Sequence, residues 1–235
     1  MAIAGGNIIL DSTEGMDKIT QTDKVTSPYF SNGDATLAAA SIVSSSLTDT
    51  NETYFFGISN STTATTEEFN VAFGSTNGYG ANVETDTKSE TEAIYKQYAS
   101  LLLAPTEVTG GFHISSQGSH AGRLTGRDEE IFVLSARRSN MKDRINKGTW
   151  TIALSGSLST GLAGASLLKL TDDSTNDSPT ATPVGDRYNV VSGAAGTVHT
   201  EATVKNYGFF YPDMGIMVLS QNELSQSIPG SEASS

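Results

Sequence analysis

The residue types suited to chemistry in this chain are three histidines, a run of basic residues, and short loops rich in glycine or aspartate. His113, His120 and His199 stand far apart, in no His-x-x-x-His or comparable spacing, so no helix face or hairpin is set to offer two of them to a metal. Gly118-Ser119-His120-Ala121-Gly122 holds its serine one place too early for a nucleophile elbow, and no strand-to-helix pattern brackets it. That segment reads as a loop. Asp172, Asp173, Asn176 and Asp177 carry the oxygen ligands calcium takes, yet their order lacks the sixth-place glycine and later glutamate of a calcium loop. Gly74 to Gly80 has neither the Gly-Lys-Ser/Thr of a phosphate loop nor the dinucleotide fingerprint, and predicts a turn. With no cysteine, thiolate and disulfide chemistry are excluded. The expectation is a non-enzymatic protein with no catalytic residue, metal or cofactor.

The basic run is different, because it stands out against the rest of the chain. Net charge is −12, yet seven of the fourteen Lys and Arg residues fall between Arg123 and Lys147. Residues 1–90 hold only Lys18, Lys24 and Lys88 against twelve acids. A chain of this charge repels duplex DNA except at that one segment, so nucleic acid is not an expected partner. Arg137, Arg138, Lys142, Arg144 and Lys147 follow an apolar run and form a candidate interface for an acidic neighbouring subunit. The plainer reading is a solvated face neutralised by Asp128, Glu129, Glu130 and Asp143, but four acids against seven bases leave an excess of positive charge.

The elements that must carry this segment are mostly strands. Only 37% of residues are hydrophobic, and Gly, Ser and Thr fill much of the remainder, which favours strands and turns over long helices. Residues 53–57 and 69–73 predict strands, the second by period-2 alternation. Ser89 and Glu92 form a capping box before a helix near 90–104, with Ile94, Tyr98, Leu101 and Leu102 on one face and Pro105 ending it. Further strands are predicted at 130–134, 149–154, 167–171, 188–191, 208–211 and 215–219, with turns at 145–148 and a polar loop from Asp172 to Pro183. Trp150, Ile152 and Leu154 share a face and should be buried. Short strands at this spacing predict a mainly β fold, an antiparallel sandwich or barrel-like domain with one amphipathic helix.

Organisation along the chain follows. Residues 1–50 have few apolar anchors beyond Asn7 to Leu10 and Leu37 to Val43, and predict an extended N-terminal arm ordered by partners. Residues 51–224 form the β-rich domain, and the Ser-rich residues 225–235 a flexible tail. No apolar run approaches the ~20 residues of a membrane span, and the first residues lack the basic and apolar regions of a signal peptide.

Three stretches carry a likeness to a known family. Glu92 to Leu103 resembles the helix in baseplate-wedge and related virion proteins of contractile-tailed bacteriophages, particularly cyanophages. Ile131 to Arg138, followed by Met141 to Leu154, is similar to that family's apolar strand, basic stretch, K-x-x-I/L-x-x-G (here Lys142, Ile145 and Gly148) and second strand. Tyr207 to Leu219 looks like its closing hairpin. The likeness spans a little over half the chain. It implies a structural subunit of the virion, made in the host cytoplasm and joined to other baseplate or tail subunits, with copies of itself in a symmetric assembly. A receptor-binding or adhesin-like surface protein is the alternative, favoured by Tyr-, Ser- and Asn-rich loops. A cell-wall or polysaccharide hydrolase is the least supported reading.

Overall fold

In the computed structural model of the chain, the described residues are 42–44, 55–59, 67–79, 90–141, 143–155, 167–200 and 203–224. Among them eleven strands run in chain order: β1 (Ile42–Ser44), β2 (Phe55–Ser59), β3 (Glu67–Ser75), β4 (Glu130–Ala136), β5 (Ile152–Ser155), β6 (Leu167–Asp172), β7 (Thr180–Thr182), β8 (Gly185–Ala194), β9 (Thr197–Val198), β10 (Gly208–Tyr211) and β11 (Ile216–Ser220). Helix α1 (Glu90–Leu102) lies between β3 and β4 in sequence, and a single turn, α2 (Gln221–Leu224), follows β11.

All pairings are antiparallel, in the order β1-β2-β3-β4-β11-β10-β8-β6-β5, with the short β7 and β9 paired to the two ends of β8. The fold is the mainly β, antiparallel one with an amphipathic helix that the sequence predicts, in a sheet curled into a half-barrel. The curl follows from packing. Phe132 and Leu134 of β4 share a cluster with Ile152 and Leu154 of β5, although four strands separate β4 from β5 along the path. Residues on one face meet across such a span only if the sheet bends toward that face.

Central strands explain why the apolar runs at 209–211 and 216–219 show no polar alternation. Phe209 and Tyr211, with Ile131, Val133, Ile216 and Val218, face α1 and the following loop, where Leu103, Phe112 and Ile114 complete a first cluster. Phe210, Met217 and Leu219 face the other way, into a second cluster with Leu170, Tyr188 and Val190. Strands covered on both faces need apolar side chains at every position. Trp150 lies just before β5 and packs, with Ile152 and Leu154, on the second cluster. Its ring meets that of Phe210 edge-on, centroids 5.3 Å apart.

Three local readings are corrected. The buried face of α1 is Thr91, Tyr95, Ala99 and Leu102, while Ile94 and Tyr98 are half-buried and Leu101 is 40% exposed. The helix is thus turned by about one residue, because its approach to β3 is set by contact at a glycine and not by the bulkiest stripe. That glycine, Gly74, belongs to β3 rather than to a turn; a Cβ there would stand 3.1 Å from the Tyr95 backbone, so α1 sits where only glycine leaves room. The turn itself begins at Thr76. Within the polar stretch from Asp172 to Pro183, Thr180–Thr182 pairs with the start of β8 as a strand. Ser89, the expected cap, lies outside the described residues, as do the tail 225–235 and the arm apart from Ile42–Ser44. Those three residues pair with β2 at one end of the sheet.

Candidate functional site

The basic segment is built where β4 leaves the sheet. Ladder bonding carries β4 as far as Ala136, whose amide donates to the Gly215 carbonyl at 2.8 Å, and the Arg137 amide donates to the Glu68 carbonyl at 2.9 Å. Gly215 has φ +67°, a value favouring glycine, and its missing side chain leaves space for the Met141 thioether. A 3₁₀ turn, Arg138–Asn140, then reverses the chain. The Arg138 guanidinium donates to the Asp143 carbonyl at 3.2 Å and closes the loop. Downstream, the Ile145 amide donates to the Pro212 carbonyl while its side chain joins the second cluster.

The five predicted interface residues therefore divide. Arg137 and Arg138 are exposed and make no ion pair among the described residues. Arg144 is half-buried, and its Nε lies out of solvent with no hydrogen-bond partner. Lys147 is withdrawn: its Nζ donates to the Tyr188 hydroxyl at 2.6 Å and stands 4.9 Å from that ring's centre. Lys142 lies outside the described residues.

Three of the four acids that could neutralise the segment are in the wrong place. Asp128, Glu129 and Glu130 sit at the beginning of β4 and Arg137 at its end, seven residues or about 23 Å along a strand from Glu130. That exceeds the ~8 Å screening length at physiological salt. Asp128 is also fully engaged. Its carboxylate accepts the amides of Ile114 (2.7 Å) and Ser115 (3.0 Å) and the hydroxyls of Ser115 (2.5 Å) and Ser220 (2.6 Å). Glu129 faces Arg127 at 3.5 Å. Only Asp143 is near the arginines in sequence.

The remaining chemistry-bearing residues hold the fold. Asp172 accepts the amides of Gly148 and Ser174, and Asp173 accepts the amide and side chain of Asn189, so both fasten turns to neighbouring strands. Among the described residues no cluster of three or more His, Asp or Glu is placed to hold a metal. Ser119 and His120 lie in a loop, as predicted. The Ser119 hydroxyl accepts the Val204 amide, and His120 Nε2 lies 3.2 Å from Glu223, which Lys205 meets at 2.9 Å. His113 lines an open depression of about 680 Å³ with Arg127, Glu129 and Glu130. Burial raises the carboxyl pKa of Glu130, with Glu129 adding to it, and burial likewise raises that of Asp173. Sequence reading missed the Asp128 and Glu223 networks because their partners lie far along the chain, Ser220 being 92 residues from Asp128 and His120 further still from Glu223; a lone aspartate in a charged run carries no mark of that.

No helix among the described residues is long and apolar enough to cross a membrane. Compared with known proteins, the chain matches no family model, no curated protein and no solved structure.

Proposed function

We propose that the chain is a structural subunit of a tailed-phage virion, a baseplate-wedge component joining neighbouring tail or baseplate proteins within a symmetric assembly. The observation that carries this reading is how the buried carboxylates are used. Asp128, Asp172, Asp173 and Glu223 each spend their oxygens on amides, hydroxyls or cations of other segments, which makes them fasteners of a rigid body. Onto that body the end of β4 mounts two exposed arginines and a third with an orphan N–H. Guanidinium groups hold carboxylates bidentately, and pairs that lose solvent on docking contribute more than exposed ones. The likeness to baseplate-wedge proteins supports the same reading and supplies the assembly.

The test is charge reversal of the strip. Arg137→Glu with Arg138→Glu should leave the protein folded with at most a small fall in melting temperature, because both side chains are exposed and the one bond lost is the exposed contact of Arg138 with the Asp143 carbonyl, yet block incorporation into particles, with a salt-sensitive encounter step. Normal incorporation would overturn the reading. Binding of the purified protein to a glycan array would favour the receptor-binding alternative.

A further inference from the structure

We propose that Arg137 and Arg138 of one copy of the chain dock into the open depression at the other end of β4 on a second copy, where Glu130 and Glu129 receive their guanidinium groups. This rests on the reading of the arginine strip as a docking surface, and it names the acidic neighbour as the chain itself.

The depression is built where β4 begins. It encloses about 680 Å³ between His113, Leu124, Arg127, Glu129, Glu130 and Asn222, within the ~300–1,000 Å³ usual for sites that enclose a ligand. Its two carboxylates differ. Glu129 already faces Arg127 at 3.5 Å and accepts the Asn77 side-chain amide at 3.2 Å. Glu130 is half-buried, and its carboxylate takes no hydrogen bond or ion pair among the described residues. Burial and the neighbouring Glu129 both disfavour its charge, so an arriving cation relieves a cost that no group of the same chain offsets. Leu124 on the rim is 37% exposed and offers apolar surface for an arginine stem to cover.

The strip supplies the matching groups. Arg137 and Arg138 are exposed, and the only bond of either guanidinium among the described residues is that of Arg138 to the Asp143 carbonyl. They cannot enter the depression of their own chain. Glu130 and Arg137 stand seven residues or about 23 Å apart along an extended strand, farther than an arginine side chain spans. Each copy therefore carries one unfilled recess with a free carboxylate and one unpaired basic strip, and contact with further copies satisfies both. Long-range charge favours the same partner, because a copy with net charge −12 attracts exposed arginines. Contact between two unlike surfaces, repeated from copy to copy, builds a ring or a filament, as a symmetric assembly of copies requires.

Sedimentation velocity of the full-length protein over a concentration series at low salt reads this contact. The expected result is reversible self-association that weakens as NaCl is added. Glu130→Gln, which keeps the side-chain shape, should weaken it roughly tenfold. Arg137→Glu with Arg138→Glu should abolish it, and so should Glu130→Arg. Mixing these two charge-reversed proteins is the sharpest arm, since the mixture holds one intact strip and one intact depression. Pairs should form although neither variant associates alone. Chains that stay monomeric across the series would overturn the proposal, as would association indifferent to these substitutions or a mixture of folded variants that forms no pairs. The two readings separate cleanly. No self-association, together with blocked incorporation of the strip variant, leaves the docking reading standing with another protein as partner and removes this one. Self-association with the expected pattern alongside normal incorporation does the reverse.

Discussion

The Tyr95 hydroxyl donates to the main-chain carbonyl of Asp128 at 2.8 Å and accepts the Phe112 amide at 3.1 Å. One phenol on α1 thus ties the helix to both ends of the loop that leads into β4. The Asp128 carboxylate continues the tie to Ser115 and to Ser220 at the end of β11. Tyr95→Phe leaves a buried amide and a buried carbonyl without that partner, and should cost about 1–3 kcal/mol in a urea melt. Protection of the Phe112 amide from hydrogen exchange should fall with it; an unchanged midpoint would show that the loop closes without the phenol.

Gly74→Ala tests the close approach of helix and sheet. The added methyl meets the Tyr95 N and Cα at 3.1 Å and the Ile131 side chain at 3.2 Å, and backbone cannot rotate away as a side chain can. The expected loss is about 1–3 kcal/mol, with exchange in α1 accelerated more than in β10 or β11. A variant as stable as the parent would mean that α1 shifts freely over β3.

Trp150→Ala removes the ring that stands edge-on to Phe210. The indole is only half-buried and its N–H is unpartnered, so the loss should fall near the low end for large aromatics, about 3 kcal/mol. Intrinsic fluorescence reports the same site, because this is the single tryptophan of the chain. An unchanged melting temperature would remove Trp150 from the core.

Acid and alkali act on different groups. Glu130 has a raised pKa from burial and from Glu129, so the folded state favours its protonated form. Stability present below the unfolded value is then lost as pH rises through the folded one. Glu130→Gln should therefore melt about 1–2 °C higher at pH 7, and the difference should close on acidification. Tyr211 is pushed up to about 12 by burial, which the neighbouring Arg187 only partly offsets. The unfolded chain ionises first, and stability present below pH 10 is lost between pH 10 and about 12. The Tyr211 hydroxyl makes no well-formed hydrogen bond, so Tyr211→Phe should be neutral at pH 7 and flatten that alkaline loss. Alkaline melts of the two proteins that coincide would contradict this.

Strands were legible where local pattern and burial agree. The runs at 130–134, 167–171 and 208–211 are mostly apolar over strand length, and each is a strand. The face of α1 was not legible. Ile94 and Leu101 outrank Thr91 and Ala99 in hydrophobicity, while the deciding contact belongs to Gly74, on another element. The basic segment could be found from charge contrast alone. Its division into exposed Arg137 and Arg138 and withdrawn Lys147 depends on Tyr188, a partner 41 residues away.

The pairing of β4 with β11 joins Ile131–Ser135 to Ile216–Ser220 in the middle of the sheet. During synthesis β4 is complete more than 80 residues before its partner exists, an interval on the order of ten seconds at typical elongation rates. Throughout that time β1 to β4 offer an apolar strand with an open edge, and the first cluster lacks Phe209, Tyr211, Ile216 and Val218. Long-range closure of this kind is slow and leaves edges open to aggregation. Yield in a heterologous host should thus depend on translation speed and temperature, with chains halted before Ser220 accumulating as insoluble material.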